Sequence, residues 1–295
     1  LEEIYAYDNS SFIDFLEDKG FVVAGESHSN YAHTTLSLAS SLNMNYLDGL
    51  VNVLGDDYQN REPTAEMIRH SELRSFLDAH GYQTVAFQTG SGHTMITDAD
   101  LFISYRPNIV SDLEGLLITS SALKMFGSTI DNLFNPFTCV GHQGSIRNIF
   151  ANLTVIPEMS GPQFVFAHIM SPHPPFIFGS DGNLDIHGEC SGMDGNQFAG
   201  SQDEYRDGYR GQVEYISAQM EDVVEKILAR SAVPPVIIIQ GDHGPGLLMD
   251  VYSSSNTCIR ERMSILNAYY LPGVGDQLLY PSITPVNSFR IVLNQ

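Results

Sequence analysis

Basic residues are scarce in this 295-residue chain: 14 Lys and Arg stand against 35 Asp and Glu, for a formal net charge of −21 at pH 7. Lys19, Lys124 and Lys226 are its only lysines. Such a surface repels nucleic-acid backbone and anionic membrane, so neither is expected as a partner. An anionic substrate would have to be attracted locally, by a metal, a helix amino terminus or a few arginines. Long hydrophobic runs are also missing, and no stretch reaches the ~18 apolar residues that a membrane span needs. Cys139, Cys190 and Cys258 form no CxxC and no zinc-finger spacing. One disulfide with one thiol, or three thiols, both remain open, and the cysteines do not identify a compartment. No G-x-S-x-G elbow is present, which argues against a serine hydrolase. Repeats, low-complexity tracts and a clean linker are absent too, and 43% hydrophobic content suits one domain with a sizeable core. There is no initiator Met and no signal peptide; Leu1 reads as mid-helix and the chain stops just after the apolar run 289–293, so a longer parent protein is expected.

What is present is organised around VPPVIIIQGDHGPG at 233–246. Residues 236–240 read as a buried strand, opened by two prolines and closed by glycine. The chain then turns on Gly241, presents Asp242 and His243 side by side, and leaves through Gly244-Pro245-Gly246. A carboxylate beside an imidazole at the carboxyl end of a core strand is where open α/β sheets put their chemistry. Both side chains ligate divalent metals. The competing reading is a turn whose Asp caps the next element and whose His is simply exposed.

Taken in order, residues 1–19 are expected to be helical and ended by Gly20, with a short strand at 21–24. A helix is expected from about Thr34, with Leu38, Ala39 and Leu42 on one face. Thr34 therefore stands at a helix amino terminus, as a plain N-cap or as a nucleophile favoured by the positive end of the helix dipole. Residues 63–80 read as one helix, 82–87 and 100–104 as strands, and 111–151 as helical pieces broken at Gly127, Asn135-Pro136 and Gly141. The run 163–169 is a strong strand, with His168 inside it as a packed core histidine. It leads into SPHPPF at 171–176, where the flanking prolines restrict the backbone of His173 and make it a candidate site residue. Residues 179–203 read as a long exposed loop, with His187 and Cys190 unassigned. The clearest helix is 204–230, and a last strand-like run spans 265–271. Strand–helix alternation predicts an α/β three-layer αβα sandwich with a mainly parallel central sheet.

Thr34, His173, Asp242 and His243 occur in an order that resembles the sulfatase-like branch of the alkaline phosphatase superfamily, near the phosphoglycerol and phosphoethanolamine transferases. The similar pieces are TTLSLASSL at 34–42, FVFAHIMSPHPPF at 164–176, VIIIQGDHG at 236–244 and SILNAYYLPG at 264–273. The resemblance covers most of the chain and implies a single catalytic domain over 1–295, truncated at both ends. It implies that Thr34 is both nucleophile and metal ligand, that Asp242 and His243 are metal ligands, and that His173 contacts the substrate's anionic group or leaving oxygen. The cofactor implied is one divalent ion, Zn²⁺ or Mn²⁺ first and Mg²⁺ or Ca²⁺ next. The reaction implied is hydrolysis or transfer of a phosphate or sulfate ester, on a small anionic ester or a lipid head group. The same resemblance implies an extracytoplasmic domain, tethered in the full-length protein by membrane helices.

Two departures qualify it. Family members open the domain with a strand ending in an acidic metal ligand, upstream of the part that resembles residues 4–16, and no such strand is present here. Glu26 follows a strand but stands in the loop before Thr34. No cysteine sits in the C/S-x-P-x-R signature of formylglycine sulfatases, and a threonine cannot yield that aldehyde, which favours phosphate esters. The alternative is a catalytically degenerate relative that keeps the fold as a binding or scaffold domain.

Overall fold

The computed structural model describes residues 1–55, 60–105, 138–190, 192–273 and 275–294. The amino-terminal helical stretch is two pieces, α1 (Glu2–Tyr5) and α2 (Ser10–Asp18). Gly20, at φ 91°, ends α2 in the left-handed region that glycine tolerates, and strand β1 (Val22–Val23) follows. Helix α3 (Thr34–Leu42) starts at the predicted residue. After α4 (Asp48–Leu54), the single helix expected over 63–80 is instead α5 (Glu62–Arg69) and α6 (Glu72–Ala79). The break has a local cause: the Ser71 hydroxyl accepts from the Arg74 N–H and caps a new helix. Strands β2 (Gln83–Phe87) and β3 (Leu101–Ile103) come next.

Most of the helical stretch expected over 111–151 lies outside the described residues. Its end is α7 (Cys139–Leu153), which runs straight through Gly141; Thr138 caps it by accepting from the Gly141 N–H. Strand β4 (Gln163–Phe166) stops before His168, so that histidine lies beyond the strand rather than within it. The stretch 179–203 is more than a loop. Strands β5 (Phe176–Phe178) and β6 (Leu184–His187) form a hairpin, and Cys190 is bonded to Cys139 at the start of α7. Helix α8 (Gln202–Arg230) opens with a capping box between Ser201 and Glu204. Strand β7 (Ile237–Gln240), α9 (Ile259–Met263), β8 (Asn267–Tyr270) and α10 (Pro285–Leu293) complete the chain. Among the described residues, no helix is long and apolar enough to cross a membrane.

Strand β2 pairs in parallel with both β3 and β4, while β8 pairs antiparallel with both β1 and β7. The fold is α/β with helices on both faces. Alternate residues sort the layers: Ala86 packs with Ala39, Leu42 and Ile68 of α3 and α5, whereas Val85 and Phe87 pack with Ile149 of α7. In the other sheet, Ala268 joins Phe12, Leu16 and Val224 of α2 and α8, while Tyr269 meets Ile291 and Val292 of α10. Burying each such Phe or Leu contributes about 1.5–3 kcal/mol.

The described pairings leave one edge of β4 and one edge of β7 open. Residues 162–174 and 233–245 line one cavity of about 1770 Å³. Both strands lead into the same end of it, where their following loops converge. That convergence builds the site.

Candidate active site

Three separate pieces of chain deliver the converging side chains. Helix α3 supplies Thr34 in its first turn; its N-cap, His33, makes no side-chain capping bond. The turn after β7 supplies Asp242 and His243. The loop after β4 supplies His168 and then His173, whose flanking Ser171-Pro172 and Pro174-Pro175 peptides are both cis.

The Thr34 Oγ1 lies 3.1 Å from His243 Nε2, and Asp242 Oδ2 lies 3.4 Å from the same nitrogen. His243 Nδ1 is 2.9 Å from the Gly244 carbonyl oxygen. A carbonyl can only accept, so Nδ1 carries the hydrogen and Nε2 keeps its lone pair. Thr34 therefore donates to Nε2. Asp242 Oδ2 is buried with no hydrogen-bond partner among the described residues, a costly state for a carboxylate oxygen unless a ligand meets it. Burial alone would raise the Asp242 carboxyl, but the neighbouring histidines, His243 first and His168 next, outweigh it and bring it down to about 2. Burial lowers His243 to about 4, helped by Arg262 and opposed by Asp242. At neutral pH the pair is a carboxylate and a neutral imidazole, the forms that ligate metal.

His173 Nδ1 donates to the Pro174 carbonyl at 2.5 Å, and its ring lies 6.2 Å from that of His243. Its Nε2 faces Asp194 Oδ2 at 3.7 Å. His168 hydrogen-bonds Thr94 through Nδ1 and is lowered by burial. Expected as a packed core histidine, it lines the same cavity as Asp242. Glu26 is exposed.

Two residues here had no sequence signal. Asp194 lies in what read as a polar loop, yet it is buried; it accepts from Tyr205 Oη at 2.7 Å and from the Gly195 N–H at 2.8 Å. Arg262, in the short helix α9, is buried as well and pairs with Asp194 Oδ2 at 2.9 Å. Burial would raise Asp194, but His173, Tyr205, Arg262 and the Gly195 amide lower it on balance. The chain leaves Asp242-His243 through positions that admit only glycine. A Cβ on Gly244 would stand 2.0 Å from the Glu261 carbonyl oxygen, and one on Gly246 2.5 Å from Asp194 Oδ2.

Among the described residues, no group of three or more His, Cys, Asp and Glu side chains is placed to hold a metal ion. What converges is a partial set: one hydroxyl, one carboxylate with an unpartnered oxygen and one imidazole lone pair. Its donors suit a divalent cation and are one carboxylate short of the set that the sequence resemblance implies.

A family model described as Sulfatase matches residues 4–273. No curated protein matches the chain. Among solved structures, the chain is similar to the C-terminal periplasmic domain of phosphoethanolamine transferase EptC from Campylobacter jejuni, with TM-score 0.53 and 11% identity, covering 99% of this chain and 82% of that one. The integral membrane lipooligosaccharide phosphoethanolamine transferase A from Neisseria meningitidis gives TM-score 0.52 and 12% identity, over 98% of this chain and 50% of that one. The phosphonate monoester hydrolase of Agrobacterium radiobacter gives TM-score 0.52 and 11% identity, over 97% of this chain and 69% of that one. At such identities the likeness shows a shared fold.

Proposed function

The chain belongs to the sulfatase family, and on that premise we propose that it is a metal-dependent hydrolase or transferase of phosphate esters with Thr34 as its nucleophile. The observation that carries this reading is the meeting of Thr34 Oγ1, His243 Nε2 and the unpartnered Asp242 Oδ2 at the mouth of the sheet. Thr34, Asp242 and His243 would hold the divalent ion. When bound, that ion lowers the hydroxyl pKa and polarises the ester oxygens.

The chain's own groups do the rest. Thr34 Oγ1 and His243 Nε2, 3.1 Å apart, stand together for one ion, and the start of α3 favours negative charge on that oxygen. The Thr34 hydroxyl gives up its proton to solvent, Oγ1 attacks phosphorus, the bond to the leaving oxygen breaks, and a phospho-threonine forms. His173 has Nδ1–H committed to the Pro174 carbonyl, so Nε2, 3.7 Å from Asp194 Oδ2, is the atom that faces the leaving oxygen. A second attack by water or an alcohol on the phospho-threonine releases Thr34. The acidic ligand still needed belongs, in this reading, to a further strand between the open edges of β4 and β7, whose carboxyl end would reach Asp242. The substrate class is a small anionic ester or lipid head group. The Cys139–Cys190 disulfide favours an oxidising, extracytoplasmic setting. The direct test is mass-spectrometric trapping of a phosphate on Thr34 after incubation of the full-length protein with a phosphodiester and Zn²⁺ or Mn²⁺. Modification at another residue, or none, defeats the assignment.

A further inference from the structure

Arg262 is buried, and its planar fork is largely committed. Nε–H donates to the Ala32 carbonyl at 2.9 Å. Nη1 donates to Asp194 Oδ2 at 2.9 Å and to the Gly244 carbonyl at 3.0 Å. Those three bonds tie it to the residue before His33, to the loop of Asp194 and to the turn of His243. The remaining nitrogen, Nη2, meets only His243 Nε2, at 3.3 Å, and among the described residues it has no oxygen acceptor. That is the same imidazole nitrogen that Thr34 Oγ1 meets at 3.1 Å. A cationic N–H edge and the Thr34 hydroxyl thus flank one point, and Arg262 borders the same cavity as Thr34, His173 and Asp242.

The cost of this placement makes a purely packing role a poor explanation. A buried guanidinium is destabilising unless paired, and here one acid, Asp194, must compensate it. Asp194 is itself fixed by Tyr205 Oη and the Gly195 N–H, and Tyr205 Oη in turn accepts from the Gly246 N–H at 3.0 Å. Of the two Nη2 hydrogens, one meets His243 Nε2 and the other has no oxygen acceptor among the described residues, in a cavity that Thr34 also lines. In a chain of net charge −21, an anionic group is drawn in only where a cation is built in.

We infer that Arg262 binds the tetrahedral anionic group of the substrate through Nη2, with Asp194 as the residue that positions it. The inference depends on the reading of Thr34 as nucleophile. A non-bridging oxygen of a phosphate ester seated on Thr34 Oγ1 accepts from Nη2–H, so the guanidinium faces the oxygens on which charge is held during transfer. Lysine cannot replace it, because one ammonium cannot keep the bonds to Asp194, Gly244 and Ala32 and still present a further donor.

The test uses inorganic phosphate and the full-length metal-loaded protein, with Arg262→Lys, Asp194→Asn and Thr34→Ala variants, each checked for folding by circular dichroism. Phosphate should raise the melting temperature of the parent and inhibit turnover competitively. Arg262→Lys retains the charge opposite Asp194, yet should bind phosphate about tenfold more weakly or worse. Asp194→Asn keeps the guanidinium without its anchor and should weaken phosphate by a similar factor. Thr34→Ala should lose turnover and keep the phosphate-induced shift. Parent-like phosphate affinity in Arg262→Lys and Asp194→Asn would overturn the inference and leave the Thr34 reading standing. If Arg262→Lys does not fold, Asp194→Asn alone decides. Undiminished turnover in Thr34→Ala would overturn the Thr34 reading and this inference with it.

Discussion

The Thr34 hydroxyl lies 3.1 Å from Nε2 of His243, a residue 209 positions further along the chain. Neither side chain is unusual in its local setting. Their meeting depends on α3 and β7 ending at one place, and the carboxylate, imidazole and guanidinium chemistry of the site follows from it.

Thr34→Ala should lower turnover of a generic phosphodiester by at least about a thousandfold, the scale at which loss of a nucleophile is felt. The melting temperature should stay within a few degrees, because the side chain is half-buried at a helix start. Steady-state kinetics beside a thermal melt reads both; retained turnover refutes the role.

Chelation of the full-length protein should abolish turnover, and Zn²⁺ or Mn²⁺ should restore it. Asp242→Asn should weaken retained metal, measured by elemental analysis after dialysis, by about 10–100-fold or more. Equal metal content in the parent and the variant counts against Asp242 as a ligand.

Stability should fall on acidification. Burial holds His142 and His168 below the ordinary histidine value and brings His243 to about 4. A depressed folded-state pKa contributes stability above about 6.5, the unfolded value, and that stability is lost as pH falls through the folded one. Asp242, at about 2, adds a further loss only between about 4 and 2. Melting temperatures from pH 7 to 4 should therefore decline. His142→Gln, which keeps a donor for the Met170 carbonyl, should flatten the decline; an unchanged slope removes His142 from the account.

Reduction of the Cys139–Cys190 bond, which spans 51 positions, should cost about 2–5 kcal/mol of stability. A melt with and without dithiothreitol measures it, with Cys190→Ser as the control. Because this bond closes the segment just before Asp194, activity should drop together with stability.

Gly244→Ala should destabilise by about 1–3 kcal/mol or prevent folding, since its Cβ would press on backbone rather than on a movable side chain. Denaturant unfolding checks the value. A neutral result would mean that the turn after His243 is free to shift.

The elements themselves are legible in the sequence. The apolar run before Gly241, the stripe of the long helix α8 and the Thr34 helix start each follow from local periodicity and capping. The single helix expected at 63–80 failed on a local detail, because Ser71 can cap as well as continue a helix. The apolar run 163–169 carries no mark of where pairing stops, so it predicts a strand through His168 that in fact ends at Phe166.

By itself the sequence determined an acidic α/β domain whose chemistry-bearing residues lie at strand ends and one helix start. Only the tertiary structure decided that Asp194 and Arg262 belong to the site. Their burial and pairing join positions 68 apart in the chain, and nothing in local periodicity reports such a contact. It likewise decided which nitrogen of His243 keeps its lone pair, because the Gly244 carbonyl that claims Nδ1 is aimed by the fold of the turn.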